Sequence, residues 1–192
     1  DECTAPEADY EYQKEALIRT TRWAERSLKA HRTNLDAQSR QAIFGIVQGG
    51  RHEDLRARSA REIGDLPFDG FGIGGSFSKE DLGDTLSAAI AVLPQEKPRH
   101  LLGIGEPEDL FEGVLSGIDM FDCVLPTRLG RTGTLYTARG KINITNQKFT
   151  RDFSPLDAET GGVMSESFTR AYLSHLFRAH EMLGPIIASQ HN

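Results

Sequence analysis

The sequence predicts an α/β chain built around a parallel sheet, on three observations. Four short runs of apolar and β-branched residues recur ahead of residue 125, each too continuously apolar for a strand with one wet face. Helical patterns separate them, as parallel strands require. Each run also ends in glycine or a polar residue: Gln48-Gly49-Gly50, Gly74-Gly75, Gly103 with Gly105, and Asp122. In parallel α/β folds ligand chemistry gathers at the carboxyl ends of strands, so four converging ends predict one site.

The elements follow in order. Apolar Ala16, Leu17, Trp23, Ala24 and Leu28 recur at helical spacing between Tyr10 and Arg32, with Pro6 ahead of them. AIFGIVQ (Ala42 to Gln48) is the first strand, followed by a helix from about His52 to Gly64. DGFGIGG (Asp69 to Gly75) is the second, and SKEDLGDTLSAAIAVL is a helix capped by Ser78. RHLLGIG (Arg99 to Gly105) is the third strand, with a helix from Pro107 to Leu115 after it, and GIDMFDCV (Gly117 to Val124) is the fourth. Beyond it, TGTLYTARGKINITN has β-branched runs on both sides of Arg139-Gly140, a hairpin signal. The polar stretch DFSPLDAETGGVMSES then leads to a last helix from about Glu166 to Leu183, with Phe168, Ala171, Tyr172, Leu176 and Ala179 on one face.

Composition narrows the class. With 38% hydrophobic and 26% charged residues in 192, the chain has material for one sizeable core, and no apolar run is long enough to span a bilayer. Two cysteines, Cys3 and Cys123, are too few for a disulfide framework, which points to a cytoplasmic protein. The net charge is −6, yet Cys123 to Arg151 holds six basic residues (Arg128, Arg131, Arg139, Lys141, Lys148, Arg151) and no acidic one. Such a strip is either a polyanion-binding face or a solvated loop.

Asp122 is the leading candidate for chemistry. A carboxylate at the mouth of an apolar strand, near arginines, suits a nucleophile or an electrostatic stabiliser, or else caps a turn. The Gln48 amide, donor and acceptor together, suits reading a heterocycle edge or tying down a loop. Gly74-Gly75 lets backbone N–H groups approach a ligand closely. Together these features suggest a flat, hydrogen-bonding substrate such as a purine. Cys123 points to the other side of the strand and reads as core. The six histidines show no metal-ligand spacing with the cysteines and read as surface or structural.

FGIVQGG, FDGFGIGGSF, HLLGIGEPEDL and GIDMFDCVLPTRLGRTGTLYT, with DECT at the start and FTRAYLSHLFRAHEMLG and HN at the end, resemble the tRNA-guanine transglycosylases from the first residue to the last. The resemblance implies the C-terminal half of a TIM (β/α)8 barrel with an inserted β-hairpin (1–150) and a C-terminal helical subdomain (151–192). It implies an enzyme of queuosine tRNA modification, which exchanges guanine in the anticodon wobble position for a 7-deazaguanine (preQ1 or queuine) by double displacement. Asp122 falls on the nucleophile that holds the tRNA as a covalent glycosyl intermediate. Asp1, Cys3, Gln48, Gly75 and Leu102 fall on base-pocket positions, and Arg128 and Arg131 on positions that grip the RNA.

Two departures stand beside it. The family's structural zinc uses three cysteines and a histidine, but the aligned positions hold Thr160, Gly162 and Ser165, leaving only His191. One histidine without thiolates cannot hold that zinc, so no metal or other cofactor is expected. The chain is also expected to begin at the end of the family's fourth barrel strand. Four βα units leave two open sheet edges, which calls for a missing N-terminal half or a partner such as a second copy. The alternative function is a non-catalytic tRNA-binding or assembly partner of the same family.

Overall fold

The Asp9 carboxylate accepts the Tyr12 N–H at 2.8 Å and starts the first helix, α1 (Tyr10–Thr33). Of the predicted stripe Ala16, Leu17 and Leu28 are buried, joined by Gln13 and Thr20, while Ala24 is half-buried and Trp23 is half-exposed. The computed structural model describes residues 1–34, 36, 40–75 and 82–192. After α1 come β1 (Phe44–Val47), α2 (Glu53–Gly64), β2 (Gly70–Ile73), α3 (Leu82–Ile90), β3 (Arg99–Leu101), α4 (Pro107–Leu115) and β4 (Met120–Phe121). The four strands form one parallel sheet in the order β1-β2-β3-β4, so β1 and β4 are its edges. The predicted cap at Ser78 lies outside the described residues.

By its contacts the chain divides into two units, Asp1–Cys123 and Val124–Asn192. In the first, alternation along each strand separates two faces. Val47, Phe71, Ile73 and Leu101 are fully buried beneath the helices, with Leu28, Ile63, Leu82 and Leu86. Burying side chains of this size stabilises a fold by about 1.5–3 kcal/mol each. The other face carries Phe44 and Ile46, Gly70 and Gly72, His100 and Leu102, and Met120. Glycine on β2 is what lets its neighbours lean inward: a Cβ on Gly70 would strike the Phe44 ring, and one on Gly72 would strike Ile46.

The second unit holds α5 (Leu125–Arg131), a hairpin of β5 (Thr134–Thr137) and β6 (Gly140–Asn143), a 3₁₀ turn (Gln147–Arg151), and the helices α6 (Val163–Ser167), α7 (Arg170–Arg178) and α8 (Leu183–His191). The predicted hairpin is present, but it turns at Ala138-Arg139, one residue ahead of the predicted Arg139-Gly140, because Gly140 pairs with Thr137 and begins β6. Leu135, Ile144, Phe149, Leu156, Leu173, Leu176 and Ile187 form its core. The single helix predicted from Glu166 to Leu183 is three helices. Phe168 is extended, a β-bridge joins Thr169 to Pro155, and the Thr169 hydroxyl caps α7. At the other end His180 takes a positive φ of 57°, which ends α7 and turns the chain into α8. The buried face of α7 is Ala171, Leu173, Ser174 and Leu176, while Tyr172 and Ala179, predicted to share it, are exposed.

Candidate active site at the strand ends

Register brings the predicted residues together. Val47 pairs with Ile73, Ile73 with Leu101, and Leu101 with Phe121. The next residue of each strand, Gln48, Gly74, Leu102 and Asp122, therefore shares the face opposite the helices. Neighbouring strands lie about 4.8 Å apart, so β2 and β4 are about 10 Å apart. A flat bicyclic ring system can lie across that span.

At the β1–β2 end the site is buried and rigid. Gln48 is 4% exposed; its N–H donates to Ser59 Oγ at 3.1 Å and its Nε2 to Asp1 Oδ2 at 2.7 Å. A Cβ on Gly74 would sit 3.0 Å from Gln48 Nε2 and 3.5 Å from Leu102 Cδ1, so these three residues are immediate neighbours. Gly75 has a φ of +111°, a conformation glycine adopts without strain. Asp1 and Cys3 are exposed on either side of Glu2, and Glu2 is what pins them. Arg19 grips its carboxylate with Nε at 2.5 Å and Nη2 at 2.9 Å, Tyr12 Oη donates at 2.7 Å, and the Glu2 N–H reaches Thr20 Oγ1 at 2.9 Å. The Arg19 bonds first, and Tyr12 second, pull the Glu2 carboxyl down to about 2.

At the β4 end Asp122 stands in solvent, its side chain 60% exposed. Both of its described contacts are to one oxygen. Oδ1 accepts the Gly103 N–H at 3.2 Å and lies 3.0 Å from His100 Nε2, at ion-pair distance though not in hydrogen-bond alignment. Oδ2 accepts no hydrogen bond from the described residues. Such a carboxylate has one oxygen anchored and the other presented, as a nucleophile needs. Cys123, read from sequence as core, is half-buried, with Sγ 3.7 Å from Gly103 O.

Three contributors escape the sequence. Arg56, on α2, is the largest fully buried side chain and lies under Gly74-Gly75. His100 precedes Leu102 by two residues, and that period could have placed it on the same face. The Glu2–Arg19 pair has no local signal at all. A cleft of about 290 Å³ beside β1, lined by Trp23, Phe44, Ile46 and Phe68, shares only Asp1 with this group.

Arg128 and Arg131 are exposed on α5 of the second unit, three residues apart and so on one side of the helix. Elsewhere in the basic strip Arg139 is paired with Glu159 at 2.7 Å, and Lys148 lies 4.9 Å from the centre of the Phe149 ring. His191 has both ring nitrogens engaged: Nε2 faces Tyr136 O at 2.7 Å and Nδ1 faces Ser165 Oγ at 2.9 Å. A carbonyl only accepts, so Nε2 carries the proton. Thr160 Oγ1 extends the chain to Ser165 Oγ at 3.2 Å. Two hydroxyls, a glycine and an imidazole already bonded at both nitrogens do not fit a structural zinc. Among the described residues, no three His, Cys, Asp or Glu side chains cluster as a metal site requires. Nor is any described helix long and apolar enough to cross a membrane.

The family model described as queuine tRNA-ribosyltransferase matches residues 1–192. The chain is 46% identical over 195 aligned residues to the queuine tRNA-ribosyltransferase of Bacillus subtilis (strain 168), and 47% identical to those of Geobacillus kaustophilus (strain HTA426) and Caldanaerobacter subterraneus subsp. tengcongensis. These matches cover 100% of the chain and 50% or 51% of each relative. The chain thus spans about half the length of the curated relatives it matches. Matched along its whole length, it belongs to the queuine tRNA-ribosyltransferase family.

Proposed function

We propose that this chain carries the nucleophile and much of the base pocket of a tRNA-guanine transglycosylase, which exchanges guanine in a tRNA anticodon for a 7-deazaguanine such as preQ1. One observation carries the reading: Gln48, Gly74, Leu102 and Asp122 occupy consecutive strand ends on one face of one sheet, with Gly75 directly after Gly74. Asp122 attacks the ribose. An Oδ2–C1′ bond forms as the C1′–N9 bond breaks, and guanine leaves with the bonding pair and takes a proton at N9 from solvent. The incoming base, having given its N9 proton to solvent, displaces the carboxylate and restores it. The two half-reactions balance in protons, and the negative carboxylate stabilises the oxocarbenium-like ribose in both.

Asp1, Gln48 and the Gly75 N–H read the base edge, while Leu102 and Cys3 line the pocket. The nucleotide must leave its stack to reach them. Arg128 and Arg131 contact RNA phosphates, and the protein works in the cytoplasm. The four-stranded sheet is read as part of a TIM barrel, with the hairpin inserted and the last helices as a subdomain. Its remaining strands come from the rest of the polypeptide or from a second copy. No zinc is used; the Thr160–Ser165–His191–Tyr136 chain links α6, α8 and β5 in its place.

Asp122→Asn tests the enzyme reading against a tRNA-binding partner without catalysis. The full-length protein carrying it should bind tRNA like the wild type but form no covalent RNA adduct on a denaturing gel and exchange no labelled guanine. Exchange at the wild-type rate would overturn the assignment.

A further inference from the structure

Among the described residues Arg56 is the one charged side chain of the largest fully buried ones, and its described hydrogen bonds go to main-chain carbonyls. Its Nε donates to Gly50 O at 2.8 Å, and its Nη1 to Gly74 O at 2.5 Å and, at the long limit, to Val47 O at 3.5 Å. Burial pushes the guanidinium down to about 10, so it remains charged at neutral pH. The carbonyls belong to the ends of β1 and β2 and to the turn between β1 and α2. Arg56 thus gathers the backbone directly beneath Gln48 and Gly75.

The bond to Gly74 O has a consequence on the other side of the peptide. The chain has no cis peptide bonds, and in a planar trans peptide the C=O and the following N–H point in opposite directions. With the Gly74 carbonyl drawn down onto Arg56, the Gly75 N–H points away from Arg56. No described residue accepts that N–H. Nothing local enforces this orientation, because both residues flanking the peptide are glycines and neither has a side chain to oppose rotation. A charged donor in a buried site is strong enough to do it. Gly75 also sits directly over the guanidinium: a Cβ placed there would strike Arg56 Nη2.

We propose that Arg56 is a positioning residue that sets the polarity of the base pocket, holding the Gly74–Gly75 peptide so that it offers a donor rather than an acceptor. This rests on the reading of Gly75 as a reader of the base. A donor there selects purines with a 6-oxo group, such as guanine and 7-deazaguanines, over those with a 6-amino group. Released from Arg56, the peptide turns over and presents the Gly74 carbonyl, which favours a 6-amino group instead.

The test uses the full-length protein with Arg56→Met and Arg56→Lys, labelled-guanine exchange into tRNA, and 2,6-diaminopurine as competing base. Arg56→Met should raise KM for guanine by about tenfold, the worth of one hydrogen bond, with KM for tRNA within about twofold of wild type. The preference for guanine over 2,6-diaminopurine should fall by a similar factor. Lysine keeps the charge but not the fork, so Arg56→Lys should lie between the two. A folded Arg56→Met protein with unchanged guanine KM and unchanged preference overturns the proposal. If that variant does not fold, the same two measurements on Arg56→Lys decide it, no change again overturning it. A wild-type protein that exchanges no guanine overturns the proposed function itself, and this inference with it.

Discussion

Replacing His100 with phenylalanine separates two roles for the ring beside Asp122, because the geometry fixes how large each effect must be. Phenylalanine keeps the ring volume and removes the nitrogen 3.0 Å from Oδ1. The Gly103 N–H remains on the same oxygen, so the carboxylate keeps one anchor. The Asp122 and His100 side chains are 60% and 23% exposed, and solvent screens a pair this open to about 0.2–1 kcal/mol. The upper end of that range corresponds to about a fivefold change in rate. If His100 only steadies the nucleophile, His100→Phe should slow single-turnover formation of the covalent adduct by about 1.4- to fivefold. An anticodon stem-loop on a denaturing gel reads the rate, and the Kd for the same RNA should not move. His100→Asn, which keeps a polar but uncharged group beside Oδ1, should recover part of the loss. A proton-transfer role would cost about a hundredfold or more. A loss of that size, with binding intact and no recovery by asparagine, refutes the positioning argument.

Two further predictions concern the second unit. Ser165→Ala removes a 3%-exposed hydroxyl that bonds the half-buried His191 Nδ1, and losing one such hydrogen bond costs about 0.5–1.5 kcal/mol; its melting temperature should fall, while a chelator leaves the wild type unchanged, and a chelator-induced drop would show that metal is bound after all. Asp157 is buried, which alone would raise its carboxyl, but the Ala138 N–H at 2.7 Å and the Glu159 N–H at 3.0 Å hold it below the ordinary 3.8. A depressed carboxylate contributes stability above its unfolded value and loses it as pH falls through the folded one, so melting temperature should drop below about pH 4 less steeply in Asp157→Asn than in the wild type. Parallel slopes would refute that account.

The order of strands and helices was legible because continuous apolar runs and helical spacing are local properties. Strand lengths were not, because a strand ends where its partner's pairing ends. Gly117 to Val124 reads as one run, yet only Met120 and Phe121 pair with β3. The break in the last predicted helix was half legible. Thr169 is a good cap residue, but the bridge to Pro155 that makes Phe168 extended is a long-range contact. Asp122, Gln48 and Gly75 could be picked out because each stands at the end of a run. Arg56 could not: on an amphipathic helix an arginine reads as solvent-facing, and only the packing of α2 against the ends of β1 and β2 buries it. His191 was named from the family's zinc site, but its two actual partners were not legible, because they lie 26 and 55 residues away.

The two ends of the site differ in solvation, and the proposed reaction needs that difference. Base recognition depends on donors and acceptors that cannot swap roles, so Gln48 and Gly74 are buried and the backbone around them is fixed from below by Arg56. The proposed nucleophile must instead admit a ribose attached to a large polyanion, and Asp122 is accordingly open, its side chain 60% exposed and its Oδ2 without a hydrogen bond from the described residues. An open carboxylate is hydrated and therefore a poor nucleophile until something displaces its water. In the proposed reaction the flipped nucleotide does so when it docks, its base filling the buried end and its sugar covering the exposed one. On the proposed function, activation of Asp122 is thereby tied to correct reading of the base: a nucleotide that fails at Gln48 and Gly75 leaves the carboxylate in water, where attack on the ribose is slow.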